Sequence, residues 1–233
     1  VSDRDFLLDY QSAAATCMAH LSRLSEEVVL WSSEEFGFLH LSDEHTTGSS
    51  IMPQKRNPGL AELARGKTGR VYGHLIGLLT ILKGLPLSYN RDLQEDKEGF
   101  FDTRDTLLAT LNAFTGMLKQ GDFDVKRMYQ AAEQSQSLAT DLADYLVVKG
   151  IPFREAHGIV GRLARKALEQ GKLLSDLSLQ EYQQFSAAFD NDVYSITLET
   201  SVAARQVPGG TSPDQVDLAL ERARLMLEKD FDI

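Results

Sequence analysis

The chain has 233 residues, of which 42% are hydrophobic and 25% charged, an ordinary globular composition long enough for one or two cores. Its 34 acidic and 24 basic residues leave a formal charge of −10, which disfavours nucleic acid and anionic membranes as partners. The single cysteine, Cys17, excludes an intrachain disulfide, and the longest apolar run, around residues 75–82, is too short to span a bilayer. With no secretion-signal layout after Val1, a soluble protein of the cytoplasm is expected.

Apolar residues recur every three or four positions from Phe6 through Tyr10, Ala13, Ala14, Cys17, Leu21, Leu24 and Val28 to Trp31. That spacing predicts a long helix, started near Ser2 and Asp5 and stopped by Gly37. Leu60, Leu63, Ala64, Val71, Leu75, Leu78 and Leu82 predict a second helix ending near Gly84 and Pro86. Within it Gly69, Gly73 and Gly77 fall at intervals of four and share one face, so another helix is expected to cross close to it. Further helices are expected over 101–118, 125–148 and 153–168, with Gly150 and Pro152 as the stop and start between the last two. Ser178 and Glu181 fit a capping box. Residues 194–198 alternate like a strand, but a lone strand would lack a partner, so they are read as helix. Pro208-Gly209-Gly210 forms a loop before a charged amphipathic helix over about 214–228. The chain is thus expected to be all-α, with a long-helix bundle segment over 1–124 and a smaller, mainly helical C-terminal domain over 125–233. The wide apolar faces of the first two helices need more cover than one chain supplies, which predicts association between copies.

Between the first two helices lies Thr46-Thr47-Gly48-Ser49-Ser50-Ile51-Met52-Pro53-Gln54-Lys55-Arg56-Asn57-Pro58. Pro53 and Pro58 keep this backbone out of regular helix, and Gly48 allows a left-handed turn. A loop this polar reads as an active-site loop. Lys55 supplies a full positive charge, Asn57 an amide donor, and the Gly48-Ser49-Ser50 backbone a run of N–H groups able to cradle an anion. Lys55, Arg56, Arg65, Lys67 and Arg70 face only Glu62 in the same stretch, a local excess of positive charge that suits a polyanionic substrate.

The pattern Gly48-Ser49-Ser50-x-Met52-Pro53-x-Lys55-x-Asn57-Pro58 resembles, at every fixed position, the signature of the fumarase/aspartase superfamily of helical, fumarate-releasing lyases. Gln54 before Lys55, together with Tyr89-Asn90-Arg91-Asp92-Leu93-Gln94-Glu95-Asp96-Lys97-Glu98, is similar to the argininosuccinate lyase family within it. The resemblance implies beta-elimination of argininosuccinate to arginine and fumarate, with no metal or organic cofactor, by a homotetramer built on a central bundle of long helices. It implies that Ser49 moves a proton, as acid or as base, and that Lys55 stabilises the charge growing on the substrate carboxylate. Glu62 would hydrogen-bond a catalytic histidine. Asn57, Tyr89, Gln94 and Lys97 would bind substrate. In the family that histidine comes from the earlier half of the polypeptide and from another subunit, so none of His20, His40, His45, His74 and His157 inherits its role. Members are about twice as long, and the chain is expected to be a C-terminal half, inactive alone. Arg56 and Arg91 stand where lysine is common, and Gly59 where aspartate is. Lys55-Arg56-Asn57-Pro58 also occurs in adenylosuccinate lyases, the near alternative. A delta-crystallin-like structural protein is the alternative from another class.

Overall fold

A computed structural model of the chain describes residues 2–48, 51, 52 and 55–230, the last two without their side chains. The described residues are mainly helical, with four two-residue strands, and the chain divides into two compact units, Val1–Arg127 and Met128–Ile233. The all-α expectation holds.

In the first unit α1 (Asp5–Trp31) packs along α2 (Gly59–Leu82), and α2 along α3 (Asp96–Gln120). Arg4 meets Asp96, Ser42 hydrogen-bonds Gln120, and residues 2–5 share a shallow cleft with 82–87. These contacts fix the directions: α1 and α3 start at one end of the unit, and α2 runs back between them. Small residues make the seam. Ala14, Ala15, Ala61 and Ala64 are buried beside Met18, Val28, Val71, Phe114 and Met117, which lets the helix backbones approach closely. The Thr68 hydroxyl, in the same seam, donates to the carbonyls of Ala64 and Met18. Two short antiparallel ribbons close the far end: β1 (Leu39–His40) with β4 (Asp122–Phe123), and β2 (Thr47–Gly48) with β3 (Arg56–Asn57).

Three expectations for this unit are corrected. Helix α1 ends at Trp31, and Gly37, at φ +60°, instead turns the chain after it, its N–H donating to the Ser33 carbonyl. The buried stripe of α1 is Leu7, Gln11, Ala14, Ala15, Met18, Ser25 and Val28, while Phe6 is 66% and Leu24 37% exposed. Close helix contact selects small side chains, and Phe6 and Leu24 point away from this seam, whereas Tyr10, Leu21 and Trp31 pack against it partly buried. Among the described residues no helix packs against Gly69, Gly73 or Gly77: a Cβ added at any of them would meet nothing within 4 Å.

The second unit has a fuller core. Leu142, Leu146, Ile159, Leu163, Leu174, Tyr182, Phe189 and Val193 are all buried in one cluster. The single helix expected over 125–148 is two, α4 (Val125–Gln134) and α5 (Ala139–Val148). The break sits at Gln136, whose backbone is left-handed at φ 57° and whose side-chain amide donates to the Lys172 carbonyl and accepts from the Leu174 N–H. Gly150, at φ +94°, and Pro152 then separate α5 from α6 (Phe153–Glu169) as expected. Ser178 and Glu181 cap the short α7 (Leu179–Gln183) reciprocally. Residues 194–198 are neither one helix nor a strand. A 3₁₀ turn at Asn191–Ser195 ends, and Thr197 caps α8 (Leu198–Ala203). Helix α9 (Pro213–Asp230) leaves every residue from Val216 to Glu228 exposed.

Candidate active site

The loop singled out by the sequence is anchored at both ends by the β2–β3 ribbon, which pairs Thr47 with Asn57 and Gly48 with Arg56. Ser49 lies outside the described residues, as do Ser50, Pro53 and Gln54. Lys55 is exposed, and its backbone N–H donates to the Met52 carbonyl at 3.0 Å. Asn57 is half-buried, and Arg56 reaches Asp43 at 3.3 Å. Gly59 opens α2 in a fully packed position, where an added Cβ would sit 2.6 Å from Thr47 Oγ1. The aspartate that the family resemblance expects there would require the exposed Thr47 side chain to shift. Glu62 follows in the first turn of α2, exposed and without an ion pair to any described residue. The start of a long helix favours negative charge, so this end is suited to an anionic ligand.

The second motif occupies the opposite end of the unit. After α2, Ser88 takes a left-handed backbone at φ 79°, Tyr89 is exposed, and a 3₁₀ turn at Arg91–Glu95 carries Gln94 outward on the buried anchor Leu93. Lys97 lies in the first turn of α3, its ammonium donating to Asp96 Oδ1 at 2.8 Å. The other Asp96 oxygen accepts from the Arg4 guanidinium. Burial pushes the Asp96 carboxyl up, but the hydrogen bonds from Lys97 and Arg4 outweigh it and hold the group below its ordinary value.

A rise of about 1.5 Å per residue puts roughly 30 Å between Glu62 and the last turn of α2. Lys55, Asn57 and Glu62 therefore gather at one end, and Tyr89, Gln94 and Lys97 at the other; one copy of the unit does not bring the two groups together. Between them, Arg70 and His74 of α2 both bind Asp102 of α3, with His74 Nε2 2.6 Å from Asp102 Oδ2. The hydrogen bond from Arg70 is the largest influence, and with help from His74 it outweighs burial and pulls the Asp102 carboxyl below its ordinary value. These groups line a cleft of about 580 Å³ with Gln11, Gly73 and Gly77. The second unit holds a cavity of about 220 Å³ between Tyr129, Leu142, Tyr182, Val193 and Glu199. Glu95, Asp96 and Glu98 of the second motif line the first of these spaces, whereas Lys55, Asn57, Glu62, Tyr89, Gln94 and Lys97 line neither.

Sequence reasoning missed Asp96 and Arg4. Asp96 was visible only as one acid in a charge run, and Arg4 lies 92 positions away from it, with no spacing to connect them. Among the described residues no group of His, Cys, Asp and Glu is placed to hold a metal ion, and no helix is long and apolar enough to cross a membrane.

Comparison with known proteins places this geometry in a family. The model of the argininosuccinate lyase C-terminal region matches residues 136–203, and a general lyase model matches residues 1–73. The chain is 57% identical over 228 residues to the argininosuccinate lyase of Moorella thermoacetica, covering 97% of this chain and 49% of that protein. It is 56% identical over 230 residues to that of Symbiobacterium thermophilum, covering 98% and 50%. The chain thus spans about half the length of the curated relatives it matches. Among solved structures, an EDDS lyase variant with bound fumarate superimposes with a TM-score of 0.87 at 29% identity, over 99% of this chain and 48% of that one. A class II fumarase from Schistosoma mansoni, at 18% identity and a TM-score of 0.69 over 84% of this chain and 39% of that one, shares the fold. The chain belongs to the argininosuccinate lyase family and corresponds to the C-terminal half of its members.

Proposed function

We infer that the protein carrying this chain is an argininosuccinate lyase, splitting argininosuccinate into arginine and fumarate in arginine biosynthesis. The observation that carries this reading is the likeness to argininosuccinate lyases along 97% of the chain, with both motifs intact. The chemistry asks for a cation and directional donors beside a carboxylate whose negative charge grows as the carbon-bound proton leaves. Lys55 and Asn57 supply them where α2 begins, and Ser49 is the residue we assign to proton transfer. Glu62, unpaired by any described cation, is free to orient a histidine contributed from outside this chain. Tyr89, Gln94 and Lys97 bind the substrate's polar groups, the lysine by pairing with a carboxylate. All these charges come from side chains, so the scheme calls for neither a metal nor an organic cofactor.

The separation of the motifs by the length of α2 supports a site assembled from several copies, and a homotetramer is the assembly we propose. The exposed apolar residues of the long helices, Phe6, Leu63, Ile76 and Phe101 among them, favour the same arrangement. We place the enzyme in the cytoplasm, where a lone thiol such as Cys17 stays reduced.

The test uses the whole protein, or this chain combined with a matching N-terminal half, and follows the ultraviolet absorbance of fumarate. Argininosuccinate is expected to turn over in preference to adenylosuccinate, while this chain alone is inactive. Ser49→Ala should lower kcat by about a hundredfold or more with the assembly preserved. A folded, assembled protein that releases no fumarate from argininosuccinate would overturn the reading in favour of a structural protein on the same scaffold.

A further inference from the structure

We propose that Asp96, clamped by Arg4, is a positioning residue for Lys97, and that Arg4 keeps the lysine's charge available to a substrate carboxylate. This rests on the lyase reading for its substrate and on geometry for the clamp. The Asp96 side chain is 1% exposed, whereas that of Lys97 is 62% exposed. Neighbouring residues on a helix do not face each other, so the lysine must fold back along the start of α3 to reach the carboxylate. That contact fixes the end of a long, flexible side chain at the lip of the unit. One ammonium proton goes to Asp96 Oδ1, at 2.8 Å, and two remain directed outward.

The second carboxylate oxygen sets the charge. It accepts from Nε of Arg4, which precedes α1 and is itself held by a 2.8 Å hydrogen bond from its Nη1 to the Asp3 carbonyl. One buried negative charge is thereby shared by two cations, so the Arg4–Asp96–Lys97 group carries a net positive charge. Without Arg4, Asp96 and Lys97 would form a neutral pair with weaker attraction for an incoming anion. Arg4 and Asp96 touch no substrate in this scheme; both act through Lys97.

The clamp predicts effects of opposite sign, which separates it from a general packing role. In the whole protein, brief acetylation of lysines with acetic anhydride, read by peptide mass spectrometry, should label Lys97 several-fold faster in Asp96→Asn. In Arg4→Met, where the carboxylate belongs to the lysine alone, labelling should be slower than in the wild type. Arg4→Met should also raise KM for argininosuccinate by about tenfold with a smaller change in kcat, and Arg4→Lys should restore most of the loss. Circular dichroism would establish that helix content is kept. Labelling that is unchanged in both variants, or faster in both, overturns the clamp. Normal turnover with an unaltered KM in Arg4→Met overturns the role given to Arg4 and leaves the lyase reading intact. Oppositely shifted labelling in a protein that releases no fumarate would support the clamp and sink the lyase reading alone.

Discussion

Glu181 does three jobs at one short helix. Its carboxylate accepts from the Lys172 ammonium at 2.7 Å and from the Ser178 N–H and hydroxyl at 2.8 Å each, while the Ser178 oxygen caps the Glu181 N–H in return. The bond from Lys172, then those from Ser178, pull the Glu181 carboxyl down to about 2 from an ordinary 4.5. A carboxyl depressed by folding contributes stability above its unfolded value and loses it as pH falls toward the folded one. The contribution should therefore be intact above about pH 5 and fade between there and about pH 2. Glu181→Gln keeps the size of the side chain but removes its charge. It should melt earlier than the wild type at neutral pH, and the two melting temperatures should converge as the solution is acidified. Curves that stay parallel over that window would show that the residue does not act through its charge.

Helix periodicity finds helices without saying which stripe faces the chain's own core. Phe6 and Leu24 made the apolar pattern of α1 legible, yet Gln11 and Ser25 are buried in their place, because the seam with α2 admits small or slender side chains. The break between α4 and α5 was invisible for another reason: Ser135-Gln136-Ser137 contains neither Gly nor Pro, and its turn depends on Lys172 and Leu174, far along the chain. The loop was legible since proline, glycine and lysine act locally, whereas the Arg4–Asp96 contact depends on how α1 and α3 lie together. The glycine stripe of α2 belongs between these cases. It predicts a close approach by another helix, but among the described residues nothing lies within 4 Å of a Cβ added there. Gly73→Leu should accordingly leave the helix content of the chain unchanged, and leucine is the better helix former by roughly 0.8 kcal/mol. If another copy's helix crosses at this point, the same leucine would hold the copies apart, and sedimentation velocity of the whole protein should show smaller species. An undisturbed assembly would mean that the stripe meets nothing.

At the scale of the molecule, the two units differ in what completes them. The second has large buried side chains from several helices around Phe189 and Leu163, while the first relies on alanine seams and exposes much of its apolar surface. The long helices act as struts that hold two halves of the proposed site roughly 30 Å apart, so each copy would give its loop to one site and its lysine to another. That division can be tested without a further structure. Glu62→Gln and Lys97→Met should each abolish most activity in the whole protein. Dissociated, mixed in equal amounts and reassembled, the two inactive variants should regain about a quarter of wild-type activity, because a site that draws the two positions from different copies has even odds of a sound residue at each. If both positions served the same site from one copy, every site would keep a defect, and no proportion of the two variants would restore activity. A mixture that stays inactive although hybrid assemblies are demonstrated by mass would therefore rule out the shared site, while a rise and fall of activity with mixing ratio, peaking at equal amounts, would support it.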